Sequence, residues 1–274
     1  MRTVLGVHDT LTDSARRAAD YPGHRATREF LPGVRAPQDL IGMIDRMCAD
    51  TWRNGHTAGW SFKPDPRHVA DGTWRRPIQD LGAHLYEHRG DRPTLVVIWH
   101  EPENDIGAHF DSPEHFVTTF NTVHGWLTDG RRRQILTCHA ALGYAYRDGA
   151  MTDAEARRWR TRAHVHAVDA YSGRTFPLAA ILPEHTGYRR WRRELVAGRR
   201  WAVTERGWTC RAPGDGAVRV AAINREFRWL GQQERPPYLY LIWGSSGREL
   251  DPGMMLDPDA RRAVADGFAR LDRR

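Results

Sequence analysis

With 274 residues, 40% of them hydrophobic and including 11 Trp and 8 Phe, the chain carries enough apolar mass for a sizeable core, which excludes the disordered and low-complexity classes. The formal charge of +7 raises a polyanionic partner such as nucleic acid, but of the 41 basic residues every one except Lys63 is Arg, a bias spread over the whole chain. Cys48, Cys138 and Cys210 are widely spaced, form no CxxC pair and are odd in number, so neither a disulfide framework nor a zinc knuckle is indicated.

Short β-rich runs alternate with helical periodicity. In chain order the pattern predicts strand 3–7, strand 27–31, helix 38–53, strand 57–62, helix 78–89, strand 95–99 and helix 113–128, then strand 134–139, helix 154–160, strand 164–170, helix 187–197, strand 201–204, helix 218–230, strand 238–243 and helix 258–271. Two helix starts are explicit in Asp111-Ser112-Pro113-Glu114 and Asp257-Pro258-Asp259, where a capping side chain, a proline and an early acid suit a first turn. No Pro-, Gly- or Ser-rich linker divides the chain. Repeated βα units imply a parallel sheet, and eight strands with helices after most of them predict an α/β fold: a single (β/α)₈ TIM barrel spanning 1–274.

Barrel chemistry sits where strands end, in the βα loops. Strand four runs from Leu95 to Trp99 into His100-Glu101-Pro102-Glu103-Asn104-Asp105, and strand seven ends in Thr204-Glu205-Arg206-Gly207-Trp208. Glycosidic hydrolysis needs two carboxyl groups, one protonated for the leaving oxygen and one ionised toward the anomeric carbon. Glu101 and Glu205 are the obvious pair. Glu103 is the rival acid, but it lies past the strand beyond Pro102, where a loop or capping role is the plainer reading. Arg206 is the plain salt-bridge partner for Glu205, although adjacent strand residues point to opposite faces. Lys63, the single ammonium, stands just past strand three and is a candidate for a substrate contact. Trp60, Phe62 and Trp208 serve either as core or as sugar platforms.

These residues resemble clan A glycoside hydrolases, whose acid/base Glu ends strand four and whose nucleophile ends strand seven. His100-Glu101-Pro102 is similar to the His-Glu version of glycoside hydrolase family 26, and Thr204 to Trp208 to the clan's Glu-x-Gly strand. Ser61-Phe62-Lys63 is similar to a segment in related barrels of actinobacteria and of the tail proteins of their phages. The resemblance implies a retaining hydrolase with Glu101 as acid/base and Glu205 as nucleophile. It further implies that His100 orients a sugar hydroxyl, Tyr171 holds the nucleophile ionised and Trp243 floors the sugar subsite. A His in place of the clan's usual Asn departs from the general pattern.

Other chemistries find less support. His164 and His166 form an HxH pair at the start of strand six, a metal-like pattern on the wrong face. His139 on strand five and His109 after strand four are further candidates for the site, but no acid shows a ligand spacing, so no metal and no cofactor are expected. No GxSxG elbow, P-loop or GxGxxG fingerprint occurs. The Arg runs at 131–133 and 189–193 lack a nucleic-acid motif. Met1 to Asp9 is too short an apolar run for a signal peptide, and no window approaches a membrane span. The expected partner is an oligo- or polysaccharide, in a virion tail among other tail proteins, after release on lysis, or otherwise in the cytoplasm. The alternative is an inactive barrel that binds glycan or builds the tail.

Overall fold

The computed structural model describes residues 3–8, 19–31, 40–88, 94–130, 134–147, 149–172, 186–208, 216–243 and 257–273. Eight parallel strands close in sequential order: β1 (Val4–His8), β2 (His24–Phe30), β3 (Thr57–Phe62), β4 (Thr94–His100), β5 (Ile135–Leu142), β6 (Val165–Ser172), β7 (Arg200–Trp208) and β8 (Leu239–Trp243). β1 pairs with both β2 and β8, which completes the (β/α)₈ barrel. Helices α1 (Leu40–Arg53), α2 (Pro66–Ala70), α3 (Arg75–His88), α4 (Pro113–Thr128), α5 (Asp153–Arg158), α6 (Thr186–Trp191), α7 (Gly216–Gly231) and α8 (Pro258–Asp272) lie between or after the strands. The expected caps are present: Ser112 accepts from His115 N at the start of α4, and Asp257 accepts from Asp259 N and Ala260 N at the start of α8. No helix among the described residues is long and apolar enough to cross a membrane.

Strand alternation sorts the core into two layers. Ala26, Leu95, Val97, Cys138, Ala140, Ala167, Ala202 and Leu241 form one buried cluster, the barrel interior. Their neighbours in sequence, among them Val96, Ile98, Val203 and Ile242, join the larger cluster packed against the helices. The predicted strands differ from the observed ones mainly at their ends. β2 begins three residues before Thr27 and β5 runs three beyond His139, because the sheet pairs these segments with their neighbours irrespective of their weak β pattern. The predicted helix 187–197 is broken: after α6 the chain continues as a π-helical turn over Arg192–Val196.

Candidate active site

Two β-bulges shape the barrel mouth. Between the pairs Val97↔Cys138 and His100↔Ala140, β4 carries one residue more than β5, and between Val203↔Tyr240 and Arg206↔Ile242, β7 carries one more than β8. An extra residue bends the strand and re-aims the side chains that follow. At β4 the bulge brings His100 level with the inward-facing Ala140, and Trp99 takes φ 60. At β7, Thr204 and Glu205 both turn toward the mouth while Arg206 turns outward, where it meets Glu226 of α7 at 2.7 Å. Arg206 therefore does not pair with Glu205, as expected from alternation.

Glu205 is 5% exposed and held from two sides. Arg28 of β2, wholly buried, donates from Nη1 to Glu205 Oε1 at 2.8 Å, and Tyr171 of β6 donates its hydroxyl to Glu205 Oε2 at 2.5 Å. The same Arg28 Nη1 lies 3.6 Å from Asp169 Oδ1, while Nε and Nη2 donate to Ser61 Oγ at 2.9 and 2.7 Å. Thr204 donates to Asp169 Oδ1 at 2.6 Å. Gly207 makes this arrangement sterically feasible, since a Cβ there would lie 2.6 Å from Tyr171 Cδ1.

Glu101 leaves β4 in the left-handed region, at φ 50, a strained choice for a residue with a Cβ. Pro102 then opens a 3₁₀ turn over Pro102–Asp105. Glu101 is half-buried; burial first, then the charges of Asp169 and Glu103, push its carboxyl up to about 8 against the opposing pull of Arg28 and Lys63. Burial and Asp169 also raise Glu205, with Arg28 and the Tyr171 hydrogen bond opposing and the charge of Glu101 adding to the rise. The two glutamates thus feel one another across the mouth. Among the described residues Glu205 has strong donors on both oxygens, whereas Glu101 has Asn104 Nδ2, at 3.3 Å from Oε2, so the hydrogen bonds favour the ionised form more at Glu205 than at Glu101.

The remaining predicted residues divide into those near the mouth and those away from it. His100 packs its ring 4.5 Å from that of Phe30; burial, then Arg28 and Lys63, hold its pKa down to about 2, leaving a neutral imidazole. Its buried Nδ1 has no hydrogen-bond partner among the described residues. Lys63 donates to Asp105 Oδ2 at 2.8 Å, and Trp99 Nε1 donates to the same oxygen at 2.6 Å, which ties the β3 and β4 ends together. Trp243 ends β8, and its side chain lies outside the described residues, as does Cys210. Glu103 accepts from Leu142 N at 3.0 Å and from Tyr146 Oη at 2.7 Å, contacts that brace the loop after β4 against the end of β5 and the turn that follows it.

Three substrate-contact candidates lie in the core: for Trp60 and Trp208 this is the first of the two roles that the sequence allowed, and for His139 it is a correction. Trp60 is fully buried against Phe62 in the helix-facing layer, with ring centroids 5.2 Å apart. Trp208 is fully buried beside Phe227 and gives its Nε1–H to Glu226 at 3.1 Å. His139 is fully buried against Phe116, Phe120 and His166. Their strand positions point them away from the lumen, so none offers a face to a ligand at the mouth. His164 hydrogen-bonds Thr137, and among the described residues no three His, Cys, Asp or Glu side chains group so as to hold a metal ion. Arg28 and Asp169 were not foreseen; a charged residue inside a strand pattern was the available signal, hidden for Arg28 by the abundance of Arg.

No protein-family model matches the sequence, and no curated protein matches it either. Solved structures do match in shape. The modular endo-beta-1,4-mannanase from Cellulomonas fimi, of glycoside hydrolase family 26, aligns at TM-score 0.65 and 15% identity, covering 97% of this chain and 71% of that one. A GH128 (subgroup II) endo-beta-1,3-glucanase from Sorangium cellulosum aligns at TM-score 0.56 and 14% identity, covering 96% and 98%. A GH128 (subgroup VII) oligosaccharide-binding protein from Trichoderma gamsii aligns at TM-score 0.59 and 11% identity, covering 99% and 96%. At these identities the likeness is one of fold alone: the chain has a (β/α)₈ barrel similar to those of these proteins.

Proposed function

We propose that this chain is a retaining O-glycoside hydrolase acting on an oligo- or polysaccharide, with Glu205 as nucleophile and Glu101 as acid/base. The observation that carries the reading is the contrast between two glutamates at one barrel mouth. Burial and Asp169 raise both carboxyls to about 8, but Glu205 accepts from the Arg28 guanidinium and the Tyr171 hydroxyl, which favour its ionised form, whereas Glu101 accepts from the weaker Asn104 amide. In the first step the Glu205 carboxylate bonds the anomeric carbon as Glu101 protonates the departing oxygen; in the second, Glu101 takes a proton from water and the glycosyl ester is released. His100 is the candidate for a sugar-hydroxyl contact, since its orphaned Nδ1 is buried near the acid. Lys63 is a further candidate at the rim, and Trp243 at the end of β8 is the candidate subsite floor. Retention requires carboxyl groups about 5 to 5.5 Å apart.

The similar barrels described as a mannanase and a glucanase set the first trial substrates, β-1,4-mannan and β-1,3-glucan. The Ser61-Phe62-Lys63 likeness adds mycobacterial and streptomycete cell-wall fractions, and with them a setting: a tail-associated enzyme acting on a host envelope. Reducing-end release by the wild type, abolished in Glu205→Gln, with the product first formed in the substrate's anomeric configuration, is the expected result. An inverted first product would replace Glu205 as nucleophile. A second reading, a barrel that binds glycan without turnover, is favoured by the description of the Trichoderma gamsii protein as oligosaccharide-binding. Calorimetric binding of an oligosaccharide with no reducing-end release would select it. Phage association is tested by looking for the chain in purified virions.

A further inference from the structure

The 3₁₀ turn after β4 returns a second polar side chain to Glu101. Residues i and i+3 eclipse one another in such a turn, and Asn104 stands three positions after Glu101. Asn104 N donates to the Glu101 carbonyl at 3.1 Å, and Asn104 Nδ2 donates to Glu101 Oε2 at 3.3 Å. Tyr144, just past β5, determines which end of the amide faces the acid. Its hydroxyl donates to Asn104 Oδ1 at 3.1 Å, which anchors the oxygen end of the amide and leaves Nδ2 toward Glu101; a flipped amide would set oxygen against the Glu101 carboxylate. Both side chains are exposed, Tyr144 at 43%, and neither contributes to the group that holds Glu205.

We propose that Asn104, oriented by Tyr144, is a positioning residue for Glu101: it occupies Oε2 and leaves Oε1 as the oxygen that carries the transferable proton. The chemical meaning of this contact rests on the hydrolase reading. In the first step the O–H bond at Oε1 breaks and its proton goes to the glycosidic oxygen. The electron pair of the breaking C1–O bond stays on that oxygen, while Glu205 forms the new bond to C1. In the second step water gives one proton to Oε1 and its oxygen bonds C1 as the Glu205 ester bond breaks. Between the steps Glu101 is an anion, and the Asn104 N–H is the donor that steadies it.

The test titrates Glu101 in the full chain by carbon-13 NMR of glutamate carboxyls, with the resonance assigned from Glu101→Gln. Asn104→Ala raises the Glu101 pKa by about half to one unit, because a donor to the ionised form is lost. Asn104→Asp raises it at least as far, since a like charge replaces the donor, and Tyr144→Phe moves it less in the same direction. The kinetic arm compares phenyl and 2,4-dinitrophenyl β-glycosides of glucose, mannose and xylose. A good leaving group needs little protonation, so Asn104→Ala lowers kcat/KM about tenfold more on the phenyl than on the dinitrophenyl substrates. A Glu101 titration unmoved in both Asn104 variants, or an equal kinetic loss on both leaving groups, overturns the proposal. Absence of turnover by the wild type, with the titration shift intact, sinks the hydrolase reading and upholds the Asn104 contact.

Discussion

Arg28 and Glu205, 177 positions apart in sequence, form a 2.8 Å ion pair inside the barrel mouth, with the guanidinium wholly removed from solvent. One cation there faces two carboxylates, Glu205 and Asp169. Breaking such a buried pair from one side strands the other charge, at about 3–5 kcal/mol. Arg28→Met should therefore destabilise the fold by a few kcal/mol at pH 8 and by less at pH 5, where the orphaned carboxyls can take up protons. Urea unfolding at the two pH values measures it; equal losses at both would mean that the pair is not electrostatically important.

Tyr171 reaches Glu205 only because residue 207 has no side chain. Gly207→Ala should push the phenol ring aside and lower kcat by roughly 10- to 100-fold, a loss of a donor to the reacting carboxylate. Tyr171→Phe should do the same. Since both act through one contact, the double variant should be no slower than Tyr171→Phe alone; additive losses would place the glycine's role elsewhere.

Asp169 is the largest charged contributor to the raised pKa of both Glu101 and Glu205, second only to burial. Asp169→Asn removes that negative charge, so both carboxyls ionise at lower pH. The alkaline limb of kcat/KM, which reports loss of the Glu101 proton, should move down by about one unit. An unmoved or rising limb in the pH profile would show that Asp169 does not set the acid's affinity for its proton.

Glu103 offers a stability test. Burial first raises its carboxyl to about 7, against the donors Leu142 N and Tyr146 Oη. The native state therefore binds this proton more tightly than the unfolded chain does, and the associated stabilisation is complete below about 4.5 and lost as the pH rises through about 7. Glu103→Gln should shrink the difference in unfolding free energy between pH 5 and pH 8 by up to ~3 kcal/mol. An identical difference in variant and wild type, read from urea midpoints, would count against this carboxyl as the titrating group.

Much of the architecture is legible in local pattern. Each βα unit announces itself by apolar runs, helix periodicity and caps such as Ser112 and Asp257, all short-range effects. The strand-end positions of Glu101 and Glu205 follow from the same pattern. The outward placement of Arg206 follows from period-2 alternation together with a bulge that no local signal marks.

By itself the sequence determined the count and order of the barrel units and the two strand ends that carry the candidate acids, because hydrophobic periodicity is written in adjacent residues. Only the tertiary structure decided that Arg28 and Asp169 flank Glu205, that Tyr144 reaches Asn104, and that Trp60, Trp208 and His139 face the helices. Those outcomes depend on inter-strand register, on the bulges at β4 and β7, and on barrel closure, which join residues that are remote along the chain.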